Sequence, residues 1–344
     1  MEYWVVDLLD ANDHVKERLP QASGGSLTWS IFKSVAGSGK IEFTETPDVG
    51  IDWINDRLKV THVKDDHEEP WGIWLFARPD RQYNRGLIKA PLSLLDKVEL
   101  LNNEIGSWLT VPSGTVVTTK IASLLDDRIP TEARALTPSS STLTKALSWE
   151  PATTWLTVIN DLCRAINYGS IWANRRGVLV IAPYVAPDKR RVMATYDAGV
   201  DIQYKLTREW EDSAPIYDIP TGVVAFSRGD QSAPGLIGRA DLPDSHVLSA
   251  ASRNREILKT VSVEATSQSV IDALAQRALT DAIEVTRRAT IIHPVNSTEM
   301  NDVVKHGPLG FTGPVVERTV TMKLGASVKD TIRRIYTGGD MPWI

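Results

Sequence analysis

WGIWLFARP, residues 71–79, decides the fold class. Successive side chains of a strand point to opposite faces, which sets Trp71, Ile73 and Leu75 on one side and Trp74 and Phe76 on the other. A strand apolar on both faces is covered on both, so its sheet is an inner layer. Upstream, Leu58, Val60 and His62 alternate with polar residues ahead of the charged turn KDDHEEP (64–70). Earlier still, Leu27, Trp29 and Ile31 alternate, AGSG (36–39) interrupts, and Ile41 and Phe43 resume. That pattern predicts two short strands about a glycine-containing turn. Residues 1–105 therefore read as a β-rich region, and the edge of its sheet needs a partner.

Working outward, residues 106–200 are mixed. PTEARALTPSSSTLTKALSWEP (130–151) reads as a connector or long loop. TWLTVINDLCRAINY (154–168) spaces Trp155, Val158, Ile159, Leu162 and Ile166 as one face of a helix. SIWANRRGVLVIAPY (170–184) reads as a hairpin turning at Asn174–Gly177. In residues 201–344, SVIDALAQRALTDAI (269–283) predicts a helix. Its start resembles a capping box at Ser269 and Asp272, and Ile271, Leu274, Ala278 and Ala282 share a face. RRATIIH, NDVVKH and GPVVERTVTMKL follow as strands. In the last, Val316, Val320, Met322 and Leu324 share one face, while Glu317, Thr319, Thr321 and Lys323 share the other. Arg318 breaks the apolar face, which places it near a strand end or in an interface.

Composition bounds the function. A chain of 344 residues, 42% hydrophobic and 24% charged, has room for two or three globular domains. The longest apolar runs fall far short of the ~20 residues that span a bilayer, so no membrane insertion is expected. The N-terminal stretch has acids within and around its short apolar run and does not read as a secretory leader. Cys163 is the single cysteine, which allows no intrachain disulfide and no cysteine zinc site. The net charge is −5, without a basic block, so stable nucleic-acid binding is disfavoured, while a surface past which DNA slides is allowed.

No catalytic motif survives inspection. AGSGK (36–40) departs from a phosphate-binding loop, with Ser34 where glycine and Ile41 where serine or threonine is needed. Asp244, Ser245 and His246 are triad residue types, but a triad is a spatial arrangement, and three adjacent residues in a loop do not make one. His62 and His67, with Asp65, Asp66, Glu68 and Glu69, fall in a turn where charges are solvated. Glu209, Glu211 and Asp212 offer carboxylates whose placement about a sugar bond the sequence does not show. Eleven tryptophans admit a sugar-binding reading, yet Trp29, Trp71, Trp74 and Trp155 sit at periodic apolar positions that core and interface packing explain. Neither enzymatic activity, metal nor cofactor is expected.

The order of segments carries a resemblance. WGIWLFARPDRQYNRG, APLSLLDKVELLNNEI and VPSGTVVTTKIASLL resemble the N-terminal part of minor tail proteins from long-tailed (siphovirus-type) phages of actinobacteria. DIPTGVVAFSRG, LPDSHVLSAASRNREI, ATSQSVIDALAQRALTDA and HPVNSTEMNDVVKHG resemble the later part, with Asn301 where the family's turn usually carries glycine. The resemblance covers nearly the whole chain and is diffuse.

It implies a baseplate-hub fold: α+β, β-rich, with two tail-tube-like β-barrel domains joined by α+β domains. The first would span 1–105, the middle domain 106–200 with a helix insert at 229–283, and the second, discontinuous barrel 201–228 plus 284–344. The implied function is structural: a homotrimeric hub ring at the distal end of the tail tube, in the virion's tail tip, matching a sixfold tube to a threefold tip. Implied partners are other copies of the chain, a tail-tube or distal-tail ring, the tape-measure protein and tip or receptor-binding proteins. Phage DNA would pass through transiently, and assembly would occur in the host cytoplasm. The chain ends soon after its last strand, which predicts no appended hydrolase or receptor-binding extension. A carbohydrate- or receptor-binding tail module, or a cell-wall hydrolase, is the alternative. A bore crossed by DNA should be acidic or neutral, which singles out Glu42, Thr44, Glu317, Thr319 and Thr321 as channel-lining candidates. Lys40 and Lys323 share those faces and are expected near strand ends, close to acids.

Overall fold

Asp65 and Asp66, both with positive φ, reverse the chain between strands Arg57–Lys64 and His67–Pro79 in two residues. Such turns match the right-handed twist of a hairpin. The polar turn anticipated at 64–70 is therefore shorter, and His67–Pro70 belong to the second strand. A computed structural model describes residues 2–20, 22–45, 50–79, 82–84, 87–89, 91–196, 205–212, 219–227, 235–283, 287–307, 310–323 and 325–334, and the chain is α+β and β-rich.

The first strands are β1 (Glu2–Leu9), β2 (Val15–Arg18), β3 (Ala22–Ser30), β4 (Gly37–Glu45), β5 (Arg57–Lys64) and β6 (His67–Pro79). Three shorter ones follow, β7 (Gln82–Asn84), β8 (Leu87–Lys89) and β9 (Leu92–Asp96), then a 3₁₀ turn at Lys97–Leu101. The middle holds β10 (Leu109–Val111), α1 (Val117–Arg128), β11 (Arg134–Leu136), β12 (Leu147–Trp149) and α2 (Trp155–Ala165). It continues with β13 (Trp172–Ala173), β14 (Leu179–Ile181) and β15 (Val192–Tyr196). Then come β16 (Lys205–Asp212), β17 (Gly222–Phe226), β18 (Ile237–Asp241), α3 (Ala250–Arg253), β19 (Leu258–Ser262) and α4 (Gln268–Ile283). The last strands are β20 (Arg287–Pro294), β21 (Val303–His306), β22 (Phe311–Met322) and β23 (Ser327–Arg333).

One large sheet unites the two ends of the chain. Its main path runs β16-β20-β23-β22-β3-β4-β9-β6-β5-β1-β2, and among the described residues it does not close into a barrel. The edge that the first region leaves open, β3, pairs antiparallel with β22, setting Ser26 opposite Thr321 and Thr28 opposite Thr319. One face of this sheet buries Leu27, Ile41, Leu58, Val60, Trp71, Trp74, Leu92 and Val320 in a single core.

Trp71 and Trp74 share that core, although simple alternation separates them. The β5–β6 register shifts between Lys59 and Thr61, and Gly72 has a φ of 108°, so one residue bulges and Trp71 rotates onto Trp74's side. Ile73 then points the other way, against Gly177, where a Cβ would lie 2.7 Å from its methyl carbon.

The glycines of AGSG serve packing. The break between β3 and β4 falls at 31–36, and Gly37 and Gly39 lie within β4. A Cβ on Gly37 would sit 2.8 Å from the Asp96 carboxylate, and one on Gly39 would sit 2.8 Å from a Leu27 methyl.

The middle region has its own core, built from Ile121, Leu125, Trp155, Val158, Ile159 and Leu162 on α1 and α2. Thr154 caps α2 by accepting from the Thr157 amide. The 130–151 connector is largely loop but contributes β11, parallel to β14, and β12, antiparallel to β10. The turn at Asn174–Gly177 forms as anticipated, with Gly177 at φ 75°.

A third core lies between α4 and the β18-β17-β19 sheet. The segment 201–228 thus contributes β16 to the large sheet and β17 to the smaller one. Ser267, two residues before the anticipated cap, accepts from the Val270 amide. The buried face of α4 is Ile271, Leu274, Ala275 and Leu279, turned slightly from the predicted stripe.

Candidate functional site

The second face of the large sheet is where the candidate residues converge. Residues directly opposite one another on neighbouring strands share a face, so the pairings of β23, β22, β3, β4 and β9 define rows across it. One row runs Ser327, Thr321, Ser26, Lys40, Ser93, and the next runs Lys329, Thr319, Thr28, Ser38, Leu95. Outside these lie Thr331, Glu317 and Ser30 on one side, and Glu42 opposite Gly24 on the other. Four of the five channel-lining candidates, Glu42, Glu317, Thr319 and Thr321, therefore share one continuous surface. Thr44 continues β4 beyond it, opposite Lys89 of β8.

This surface is polar because the core takes every second residue. Leu27, Ile41, Val320 and Val328 are buried on one side, and their neighbours Ser26, Thr28, Lys40, Glu42, Thr319 and Lys329 are half-buried or exposed on the other. Farther along, on β6 and β5, the same face is covered. Ile73 meets Gly177, and Arg57 bonds Glu132 of the middle region at 2.5 Å. The middle region thus caps one end of the face and leaves the β22-β3-β4 end open.

Charge on the open part is balanced among the described residues: Lys40 and Lys329 against Glu42 and Glu317. Lys323 follows the last residue of β22, as anticipated for a strand end. Lys40 is in the middle of β4, opposite Ser26 and Ser93 and two residues from Glu42 on the same face, so it is not near a strand end, which corrects that part of its expected position. The face ends at Arg333 and Arg288, paired across β20 and β23. Arg333 donates to the Asp281 carbonyl, and Arg288 lies 5.0 Å from the Phe32 ring.

Beneath this face Arg318 is fully buried, not at a strand end or an interface of the chain. Asp330 stands directly opposite on β23. Arg318 Nε donates to Asp330 Oδ1 at 2.7 Å and Nη2 to Oδ2 at 2.6 Å, a bidentate pair. Burial alone would raise Asp330, but the charge and hydrogen bonds of Arg318 and His293 hold it below the usual carboxylate range. The network extends to Arg175, which stacks 3.8 Å over Trp71, bonds Glu69 at 3.2 Å and the Asn296 carbonyl at 2.8 Å, and shares the Thr298 carbonyl with Arg318. Burial, and then the like charge of Arg318, lower Arg175 to about 10. A second buried cluster joins Asp13, Arg57, Lys97 and Glu132, with Lys97 bonded at 2.5 Å to both acids. Sequence reading missed both networks. Arg318 and Asp330 each interrupt an apolar alternation, and that paired interruption was the available signal.

The chemical candidates do not assemble. His62 is buried against Trp4 and bonds Glu2 at 2.9 Å, whereas His67 is exposed, 3.6 Å from Glu69. Asp244, Ser245 and His246 precede α3, where the His246 Nδ1 accepts from the Leu248 amide and the Asp244 carbonyl accepts from Ser249. Among the described residues no group of three or more His, Cys, Asp or Glu side chains is placed to hold a metal. The side chains of Glu209, Glu211 and Asp212, on β16, lie outside the described residues, as does Leu324. Trp29, Trp71 and Trp74 pack together with Trp4 in the sheet core, and Trp149 and Trp155 pack in the middle core. Trp108, 72% exposed, stands outside. Among the described residues no helix is long and apolar enough to cross a membrane.

No known family pattern matches the sequence, and no curated protein matches it. Solved structures do. A tail protein from Neisseria meningitidis superposes with a TM-score of 0.67 at 14% identity, over 96% of this chain and 97% of that one. The 43 kDa tail protein of prophage MuSo2 from Shewanella oneidensis gives 0.63 at 12% identity, over 97% and 98%. The c3393 protein of E. coli, a type VI secretion component with similarity to the T4 tail proteins gp27 and gp5, gives 0.51 at 10% identity, over 94% and 76%. The chain therefore has, nearly end to end, the fold of phage tail proteins.

Proposed function

We propose that the chain is a structural component of a phage tail, a hub protein whose copies form a ring at the distal end of the tail tube. Three copies would match a sixfold tube to a threefold tip, each offering two sheet regions. The end of the sheet rich in β1, β5 and β6 belongs to the first domain, 1–105. The end rich in β20, β22 and β23 belongs to the second, 201–228 plus 284–344. Residues 106–200, with the insert at 229–283, would brace them. Glu42, Thr44, Glu317, Thr319 and Thr321 would line the bore through which DNA passes. Partners would be a tube or distal-tail ring, the tape-measure protein and tip or receptor-binding proteins, and the place would be the tail tip of a virion, after assembly in the host cytoplasm. Actinobacterial long-tailed phages are the source that the sequence resemblance favours. The role is not enzymatic.

The observation that carries this reading is the continuous sheet. Its inner face packs the core, and the middle region covers one end of its outer face. The other end, across β22, β3 and β4, is left as a polar wall. The near-complete overlap with tail proteins supports the class of role. Imaging the tail tip at a resolution that separates threefold from sixfold rings tests it. The expected map holds three copies around the bore with Thr319 and Thr321 facing the axis. A chain found in a peripheral fibre, or a ring with this face turned outward, overturns it.

A further inference from the structure

We propose that the outer side of the β10–β12 ribbon is a shallow binding site for a neutral pyranose, with Trp108 as its stacking platform and Glu150, Thr110 and Ser148 as its polar rim. The register sets Leu109 opposite Trp149, Thr110 opposite Ser148 and Val111 opposite Leu147. Alternation sends Val111, Leu147 and Trp149 into the middle core and leaves Thr110 and Ser148 exposed on the other side. Trp108 and Glu150 extend the two strands by one residue each, in phase with that outer pair, and both are exposed. At 72% exposure Trp108 is the most exposed aromatic side chain among the described residues, whereas Trp29, Trp71, Trp74, Trp149 and Trp155 lie in or against cores. An indole left in water forgoes the burial that holds the others in place.

The surroundings select the ligand. A protein partner would take an aromatic anchor within a continuous, charge-poor patch, but the exposed neighbours of Trp108 on this side, Thr110, Ser148 and Glu150, are all polar. A pyranose offers an apolar C–H face and a rim of hydroxyls, each both donor and acceptor. Facing residues lie about 5 Å apart across the ribbon, and alternate ones about 6.8 Å apart along it. One sugar ring stacked on the indole thus reaches the Glu150 carboxylate on one edge and the Thr110–Ser148 hydroxyl pair, bonded at 2.9 Å, on another. Neither the indole Nε1 nor the Glu150 carboxylate has a hydrogen-bond partner among the described residues, so both can serve a ligand. Glu104 and Glu150 are the only charged residues of 102–113 and 146–153, and Lys145, just before β12, is bonded to Glu264 at 2.6 Å. An anionic sugar is therefore repelled and a neutral one admitted. The ribbon is a separate sheet from the face assigned to the bore, and the site does not depend on the ring.

Methyl glycosides of glucose, galactose and mannose, with methyl glucuronide as the anionic control, test this on the purified chain. In NMR the indole N–H signal of Trp108, identified by its loss in Trp108→Phe, should move with at least one neutral glycoside and stay in place with the glucuronide. The dissociation constant should be about 1 mM or weaker, the range of a small ligand held by few contacts. Saturation transfer to the sugar protons should vanish in Trp108→Ala at an unchanged melting temperature, because the side chain is exposed. Glu150→Gln should weaken binding about tenfold, the loss of a hydrogen bond to a charged group. Ile54→Ala, 90% exposed in the first region, should leave binding as it was. Silence with all three neutral glycosides, equal binding of the glucuronide, or binding retained in Trp108→Ala overturns the site. A Trp108 signal that moves with protein concentration and not with sugar gives this face to a second copy, which overturns it as well.

Discussion

Asp96 shows how much one buried carboxylate can set. It accepts from the Gly37 amide at 2.5 Å and the Val98 amide at 2.9 Å, so it ties the β3–β4 hairpin to the 3₁₀ turn at Lys97–Leu101. Burial pushes its pKa up to about 6 against those two hydrogen bonds. A carboxyl raised in the folded state stabilises most below its unfolded value of 3.8, and that contribution is lost as pH rises through about 6. A shift of about two units corresponds to roughly 3 kcal/mol. Melting temperatures across this window should therefore show a decline from Asp96 that Asp96→Asn flattens, and an unchanged profile in the variant would assign the pH dependence elsewhere. Arg318 makes the companion case. Arg318→Ala strands Asp330 without its cation and should cost about 3–5 kcal/mol in chemical denaturation, whereas Arg318→Met combined with Asp330→Leu should recover much of it. If the double variant is no better than the single one, the pair is not the source of the loss.

Among elements, the local ones were legible and the paired ones were not. The helix at 154–168 could be read because its buried positions repeat every turn within one short segment. The turn at Asn174–Gly177 could be read because Gly177 supplies its positive φ. AGSG was misread because glycine has two uses. At Gly37 and Gly39 it admits Asp96 and Leu27, residues that no local pattern connects to the motif. Alternation along β6 failed at the bulge for a like reason, since the register of β5 and the contact of Gly72 with the Arg175 carbonyl set it. Of the candidate face, each strand's polar side was legible, but its continuity needed β3 between β4 and β22. Gly25 is the most exacting position there: its φ is 152°, and a Cβ would collide with the Lys40 carbonyl. Gly25→Ala should part β3 from β4 and leave little soluble protein. Gly114→Ala, at φ 78° in open space, should cost only about 1 kcal/mol. Comparable melting of the two variants would show that the sheet tolerates a wider strand separation.

At the scale of the whole molecule, two buried ionic clusters make the sheet and the middle region one body. Arg175 is the key side chain, since it touches Trp71 from the first region and Thr298 from the last. Calorimetry of the intact chain should show one transition, and Arg175→Ala should split it, with the middle core and the sheet melting apart. A single transition in the variant would mean that the Lys97 cluster suffices alone. The chain carries a net charge of −5, so the balanced face is not a sample of the overall charge but a local exception to it. The pairing of β3 with β22 also has a temporal side. Ser26 and Thr321 stand near opposite ends of the 344 residues, so a ribosome working at about 5–20 residues per second exposes β3 for on the order of tens of seconds before its partner exists. Until then the nascent chain carries an unpaired strand edge beside an unfinished apolar core, the feature that draws chains into aggregates. Slow, late closure of this kind favours folding at low temperature or under a holding chaperone, and fragments ending before β22 should be recovered mainly as insoluble protein.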